Sequence, residues 1–174
     1  KPDNVYREAR KKLGDDKAIQ KYRQFMLDHE NERLEPGTGM PVVEALLKLN
    51  KHGSNSESPL VQVVVMSRNS PETGMRILNN IREYDLDIPR TVFTGGETVT
   101  DYLSAYDVDL FLTTDANDAQ TVANSLACAV ALLKEPPSPS LDVNTDASEK
   151  LEQVRIAFDG DAVLSTKKAN LYIR

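Results

Sequence analysis

The chain has 174 residues, 40% of them apolar, which supports one well-buried domain on the usual scale of about 100–200 residues. Its 21 basic and 27 acidic residues give a formal charge of −6 with no basic, aromatic-laced stretch, which excludes the electrostatics of a nucleic-acid polymer binder. The single cysteine, Cys128 in "ACAVALL", excludes a disulfide framework and favours a reducing cytosolic compartment, and no apolar run reaches the ~18 residues of a membrane span.

The first third reads as helical. Over 16–28, Ile19, Tyr22 and Met26 recur at near-helical spacing between charges, as a half-buried helix requires. After "EPGTG", Val42, Ala45, Leu46 and Leu49 fall at i, i+3, i+4 and i+7, with Pro41 where a first turn tolerates it. "KHGSNSESP" ends that helix. "LVQVVVM" at 60–66 is too short for a helix and too continuously apolar for a one-sided strand, so it is predicted as a central strand covered on both faces.

Strands and helices then alternate. "PETGMRILNNIREY" carries Met75, Leu78 and Ile81 on one face, "RTVFTGG" is a short strand running into glycines, and "ETVTDYLSAY" places Val99, Tyr102, Leu103 and Tyr106 on one stripe. "DLFLTTD" and "CAVALL" are two further strands, joined by a helix bearing Ala119, Val122, Ala123 and Leu126. Residues 134–150, rich in Pro, Ser and acids, form an exposed connection before a fifth strand in "RIAFDGDAVL". The βαβ rhythm predicts a three-layer, Rossmann-like α/β domain: a mostly parallel sheet of about five strands between helices. One domain spans 1–174, with a helical segment at 1–35 and the last strand and tail at 154–174.

In an open parallel sheet, ligands bind beyond the carboxyl ends of the strands. The residues just past those ends are Ser67, Arg68 and Asn69; Thr94, Gly95 and Gly96; Thr114, Asp115 and Asp118; and Asp159 and Asp161. Carboxylates, a hydroxyl, glycines and amide donors make a site for a hard cation such as Mg²⁺ together with a phosphate. Plainer roles stay open for each part. Asp159 and Asp161 flank a turn-forming Gly160, Ser67 could cap the next helix, Gly95 and Gly96 could serve only a tight turn, and Asp115 or Asp118 could cap the helix at "AQTVA". His29 and His52 have no partner at ligand spacing and read as surface residues.

"FDGDAVL" matches the D-x-D signature of the haloacid-dehalogenase-like (HAD-like) phosphatases. The ordered blocks "PGTGMPVVEALLKLN", "VVVMSRNSPETGMRILNNI", "FTGGETVTDYLSAYDVDLFLTTD" and "VRIAFDGDAVL" resemble the cytosolic 5'-nucleotidase I family over roughly residues 35–164. The resemblance implies hydrolysis of nucleoside 5'-monophosphates through an aspartyl-phosphate. Asp159 would then be the nucleophile and Asp161 the acid/base; Asp159, Asp161 and Asp115 would hold Mg²⁺, while Ser67, Arg68, Asn69, Gly95 and Gly96 bind the phosphate.

The chain resembles only the family's N-terminal α/β half plus the opening D-G-D strand of its second half, and it departs from the family in two further places. Between Ser67 and Asp115 there is no lysine, and after Leu164 a basic "STKKANLYIR" stands where the family has an acidic flap. Two arrangements follow: the D-G-D strand inserts between "VVVMS" and "FLTTD" in a permuted strand order, or it belongs with other sequence. The second leaves a competing function, a catalytically incomplete half that binds nucleotide or assembles as a homo-oligomer. A receiver-like domain, another fold that gathers acids around Mg²⁺, ranks behind both because the acid pair comes last in the chain.

Overall fold

The computed structural model describes residues 2–53, 59–134 and 154–157. Its elements are α1 (Pro2–Leu13), α2 (Asp15–Asp28), α3 (Met40–Leu49), β1 (Val64–Ser67), α4 (Pro71–Glu83), β2 (Arg90–Phe93), α5 (Thr100–Leu103), β3 (Leu110–Thr113), α6 (Ala116–Ser125) and β4 (Ala129–Leu132). Two 3₁₀ turns, Asn50–His52 and Ser104–Tyr106, extend α3 and α5.

The chain is an α/β protein with parallel strands. β1 pairs with β2 in register from Val64 opposite Arg90 to Ser67 opposite Phe93, and β3 pairs with β4 from Leu110 opposite Ala129 to Thr113 opposite Leu132. Each pair is one βαβ unit, crossed by α4 or α6, so the carboxyl ends within a unit lie side by side. Among the described residues this gives two two-stranded sheets where the sequence predicts one of about five strands. Of the predicted fifth strand, 154–157 lies outside any ladder with Ile156 59% exposed. The rest of that strand, and all of the 134–150 connection except residue 134, fall outside the described residues.

β1 begins at Val64 instead of residue 60, and the cause is local. Asn50 Nδ2 donates to Val61 O and Val61 N donates to Asn50 Oδ1, both at 2.8 Å. One carboxamide thus takes both backbone groups that a neighbouring strand would need. β1 is half-buried throughout, not covered on both faces as predicted.

The largest correction concerns α4. The predicted inward face of Met75, Leu78 and Ile81 is half-buried or exposed, and the buried residues are Thr73, Gly74, Arg76 and Asn80. α4 holds down the irregular connection after α2, whose backbone groups must be satisfied by something other than a ladder. Asn79 Nδ2 donates to Glu30 O at 3.1 Å, Asn80 Nδ2 and Arg76 Nε both donate to Glu32 O at 3.3 Å, Leu34 N donates to Asn80 Oδ1 at 2.6 Å, and Tyr84 Oη donates to Leu34 O at 2.6 Å. Arg76, 6% exposed, also lies 5.8 Å from the Phe25 ring centre and 3.6 Å from the Glu32 carboxylate.

The remaining packing is compact and apolar. Ala9 and Ala18 are buried where α1 and α2 meet, and their small side chains let the two helices approach closely. Met26 is buried on α2 as predicted, whereas Ile19 and, on α3, Val42 are exposed. Val99, Leu103 and Val122 are buried where α5 meets α6. Leu126 was expected on the inner face of α6, but the helix stops at Ser125 and Leu126 turns left-handed (φ 55°), 87% exposed. Cys128 precedes β4 and is half-buried; burial pushes its thiol up. His29, expected at the surface, is instead half-buried at the end of α2, stacked on Phe25 at 4.0 Å with Nδ1 2.7 Å from Phe25 O.

α4 lies on β2 at Gly74, where a Cβ would come within 2.6–2.7 Å of the Phe93 ring. In Gly74→Ala the helix-propensity gain of about 1 kcal/mol is set against overpacking worth about 1–3 kcal/mol. A net loss of stability is expected in chemical denaturation, and a stabilised variant would contradict the packing described.

Candidate active site at the strand ends

The ends of β1, β2 and β3 converge through short, identifiable bonds. Ser67 closes β1; its Oγ accepts from Asn69 N at 3.2 Å and its carbonyl accepts from Thr94 N at 3.0 Å. The capping role open to Ser67 belongs to Ser70, which accepts from Thr73 N at the start of α4 with Pro71 in the first turn. Asn69 O accepts from Gly95 N at 3.0 Å, so that glycine amide is already engaged within the protein. Gly95 and Gly96 adopt φ of 66° and 110°, conformations a side chain disfavours. A side chain at either would meet nothing within 4 Å, so the turn after β2 offers open space.

Asp115 caps α6, as one sequence reading allowed. Its Oδ1 accepts from Asn117 N at 2.8 Å and Asp118 N at 3.1 Å, while its own N–H is donated to Thr113 Oγ1 at 3.1 Å. The backbone N–H groups of Asp118 and Asn117 hold its carboxyl below the ordinary 3.8; burial opposes them, and the Arg68 and Arg7 guanidiniums add smaller lowering effects. Asp118 turns to Arg68, whose guanidinium it accepts in an ion pair linking the loop after β1 to α6. Arg68, expected on phosphate, is therefore spent on a carboxylate here.

Ser67, Arg68, Asn69, Gly95 and Asp115 are thus tied together by direct bonds or charge, and Gly96 shares their turn. Asp159 and Asp161 lie outside the described residues. Among the described residues no group of three or more His, Cys, Asp or Glu could hold a metal ion. Asp115 with Asp118 paired to arginine does not by itself fit Mg²⁺, which takes several oxygen ligands.

Two participants escape sequence reasoning. Tyr22, assigned to a core stripe, donates Oη to Asn69 Oδ1 at 3.0 Å, and Arg7 of α1 lies near enough to Asp115 to lower its pKa. Neither has a local signal, because the contacts join residues 47 or more positions apart.

Parallel βαβ units with hydroxyl, amide, glycine and carboxylate groups at the strand ends define an α/β protein of the class whose ligand sites form at that edge. The 5'-nucleotidase family model matches residues 6–174, and the chain belongs to that family. It is 29% identical over 168 residues to human cytosolic 5'-nucleotidase 1B, covering 94% of this chain and 26% of that protein. The chain therefore spans about a quarter of that relative's length. No solved structure matches it significantly. Among the described residues no helix is long and apolar enough to cross a membrane.

The Asp115 cap has a pH signature. A folded-state pKa below the unfolded value stabilises above that value, and the stabilisation is lost as pH falls through the folded pKa. Asp115→Asn keeps an effective cap and removes only the charge. Wild type is expected to be the more stable at neutral pH, with the gap closing as pH falls below 3.8. Denaturation of both proteins across that range checks it, and a pH-independent gap would contradict it.

Proposed function

We propose that this chain carries the catalytic strand ends of a cytosolic, Mg²⁺-dependent nucleotidase that hydrolyses nucleoside 5'-monophosphates to nucleoside and phosphate. One observation supports it most. β1 pairs with β2 and β3 with β4, yet β1 and β3 are not hydrogen-bonded to each other although Arg68 and Asp118 bridge their ends. A fifth strand at "RIAFDGD", whose residues 155–157 are in no ladder here, would on pairing between β1 and β3 complete a five-stranded order and deliver Asp159 and Asp161 beside Ser67 and Asp115. The family match runs through those residues, as far as 174.

In this reading Asp159 attacks phosphorus and the bond to the 5'-oxygen breaks. Asp161 gives its proton to the leaving oxygen, then takes one from the water that cleaves the aspartyl-phosphate and restores Asp159. Ser67 Oγ and Asn69 Nδ2 hold the phosphate oxygens. Asp159, Asp161 and Asp115 would hold Mg²⁺, which when bound neutralises the phosphate charge that otherwise repels an attacking carboxylate.

Phosphate release from AMP and IMP with Mg²⁺ tests the assignment. Asp159→Asn is expected to lose activity by about 10⁴-fold or more, the scale on which an enzyme feels the loss of its nucleophile. A chelator should abolish turnover in wild type. Equal rates from wild type and Asp159→Asn would overturn it, and nucleotide binding without turnover in both would favour the incomplete half.

A further inference from the structure

We propose that Tyr22 is a positioning residue for the phosphate subsite: it pins the Asn69 carboxamide by its oxygen and so presents the Nδ2 donors to the substrate. The inference rests on the nucleotidase reading above. Asn69 stands two residues beyond Ser67, where three parts of the chain meet. Its N–H goes to Ser67 Oγ, its carbonyl to Gly95 N, and its Oδ1 to Tyr22 Oη. Among the described residues Nδ2 has no partner, so the fold engages every polar atom of Asn69 except the two donors an anion would want.

The two ends of a carboxamide are nearly equal in shape and opposite in chemistry. Turned over, Asn69 would aim an oxygen at the phosphate and repel it. A phenol donating to Oδ1 opposes that flip. Tyr22 is itself held on both sides. Tyr6 meets its ring edge-on at 6.1 Å and 79°, and the next residue, Arg23, forms an ion pair at 2.5 Å with Glu72 in the first turn of α4. The α1–α2 hairpin therefore acts as a brace on the loop after β1, and α4 sets its distance.

Because nonbridging phosphate oxygens are held in ground and transition state alike, the loss should fall mainly on KM. Tyr22→Phe is expected to raise KM for AMP and the inhibition constant of inorganic phosphate by about 3- to 10-fold, one hydrogen bond's worth, with kcat falling less than KM rises. Asn69→Asp keeps an acceptor for Tyr22 and replaces the donors with charge, so it should raise both constants further while melting near wild type. Adding Tyr22→Phe to Asn69→Asp should then change them little. A Tyr22→Phe protein with a lowered melting temperature but unchanged KM and phosphate inhibition would reduce Tyr22 to a structural residue and overturn the proposal. Effects of the two substitutions that simply multiply would also overturn it. Wild type that releases no phosphate would overturn the nucleotidase reading and this proposal together, which separates that failure from a failure of Tyr22 alone.

Discussion

The polar face of α4 is the constraint on which the rest of the described structure depends. Thr73, Gly74, Arg76 and Asn80 are buried where an amphipathic helix would normally bury aliphatic groups. The exchange has a reason. The connection between α2 and α3 has no strand neighbour to satisfy its peptide groups, and an orphaned buried peptide group costs about 1–3 kcal/mol. Arg76, Asn79, Asn80 and Tyr84 supply those bonds. A leucine stripe would bury more apolar area and leave the connection unpaired.

From that face two consequences run toward the strand ends. On one side, Gly74 admits the Phe93 ring, so α4 sits close on β2 and fixes where the loop after β1 begins. On the other, α2 is held against α4, which brings Tyr22 to Asn69. The charges there follow the same economy. Asp115 satisfies the first N–H groups of α6 and gains from their partial positive charge, while Asp118 takes Arg68 and bridges the two βαβ units. The ion pair at this exposed position adds little to stability, about 0–1 kcal/mol, and matters for placing the loops.

Elements with a strong local period were legible in the sequence; placement across long separations was not. Val99 and Leu103 are buried on α5 as their spacing requires, and "RTVFTGG" and "DLFLTTD" are strands that run into their turns. The α4 face was misread because periodicity counts apolar residues and cannot see that Arg76 and Asn80 have carbonyls waiting for them. Leu60 to Val63 read as strand because β-branched residues favour one, yet a side chain 11 positions earlier takes both polar groups of Val61. At the site, strand-end logic named Ser67, Asn69 and Asp115. The brace supplied by Tyr22 and the charge of Arg7 depend on how a helical hairpin docks, which no spacing within the chain encodes.

The Asn50 carboxamide also changes what the stretch it encloses is free to do. By clasping Val61 at donor and acceptor together, it ties the end of α3 to the chain just before β1. Length added between tied ends raises only the entropy of loop closure, about 0.6 kcal/mol per doubling, and leaves the start of β1 where it was. The connection from residue 50 to residue 61 is therefore a place where this fold can lengthen or carry an inserted peptide without disturbing the strand ends.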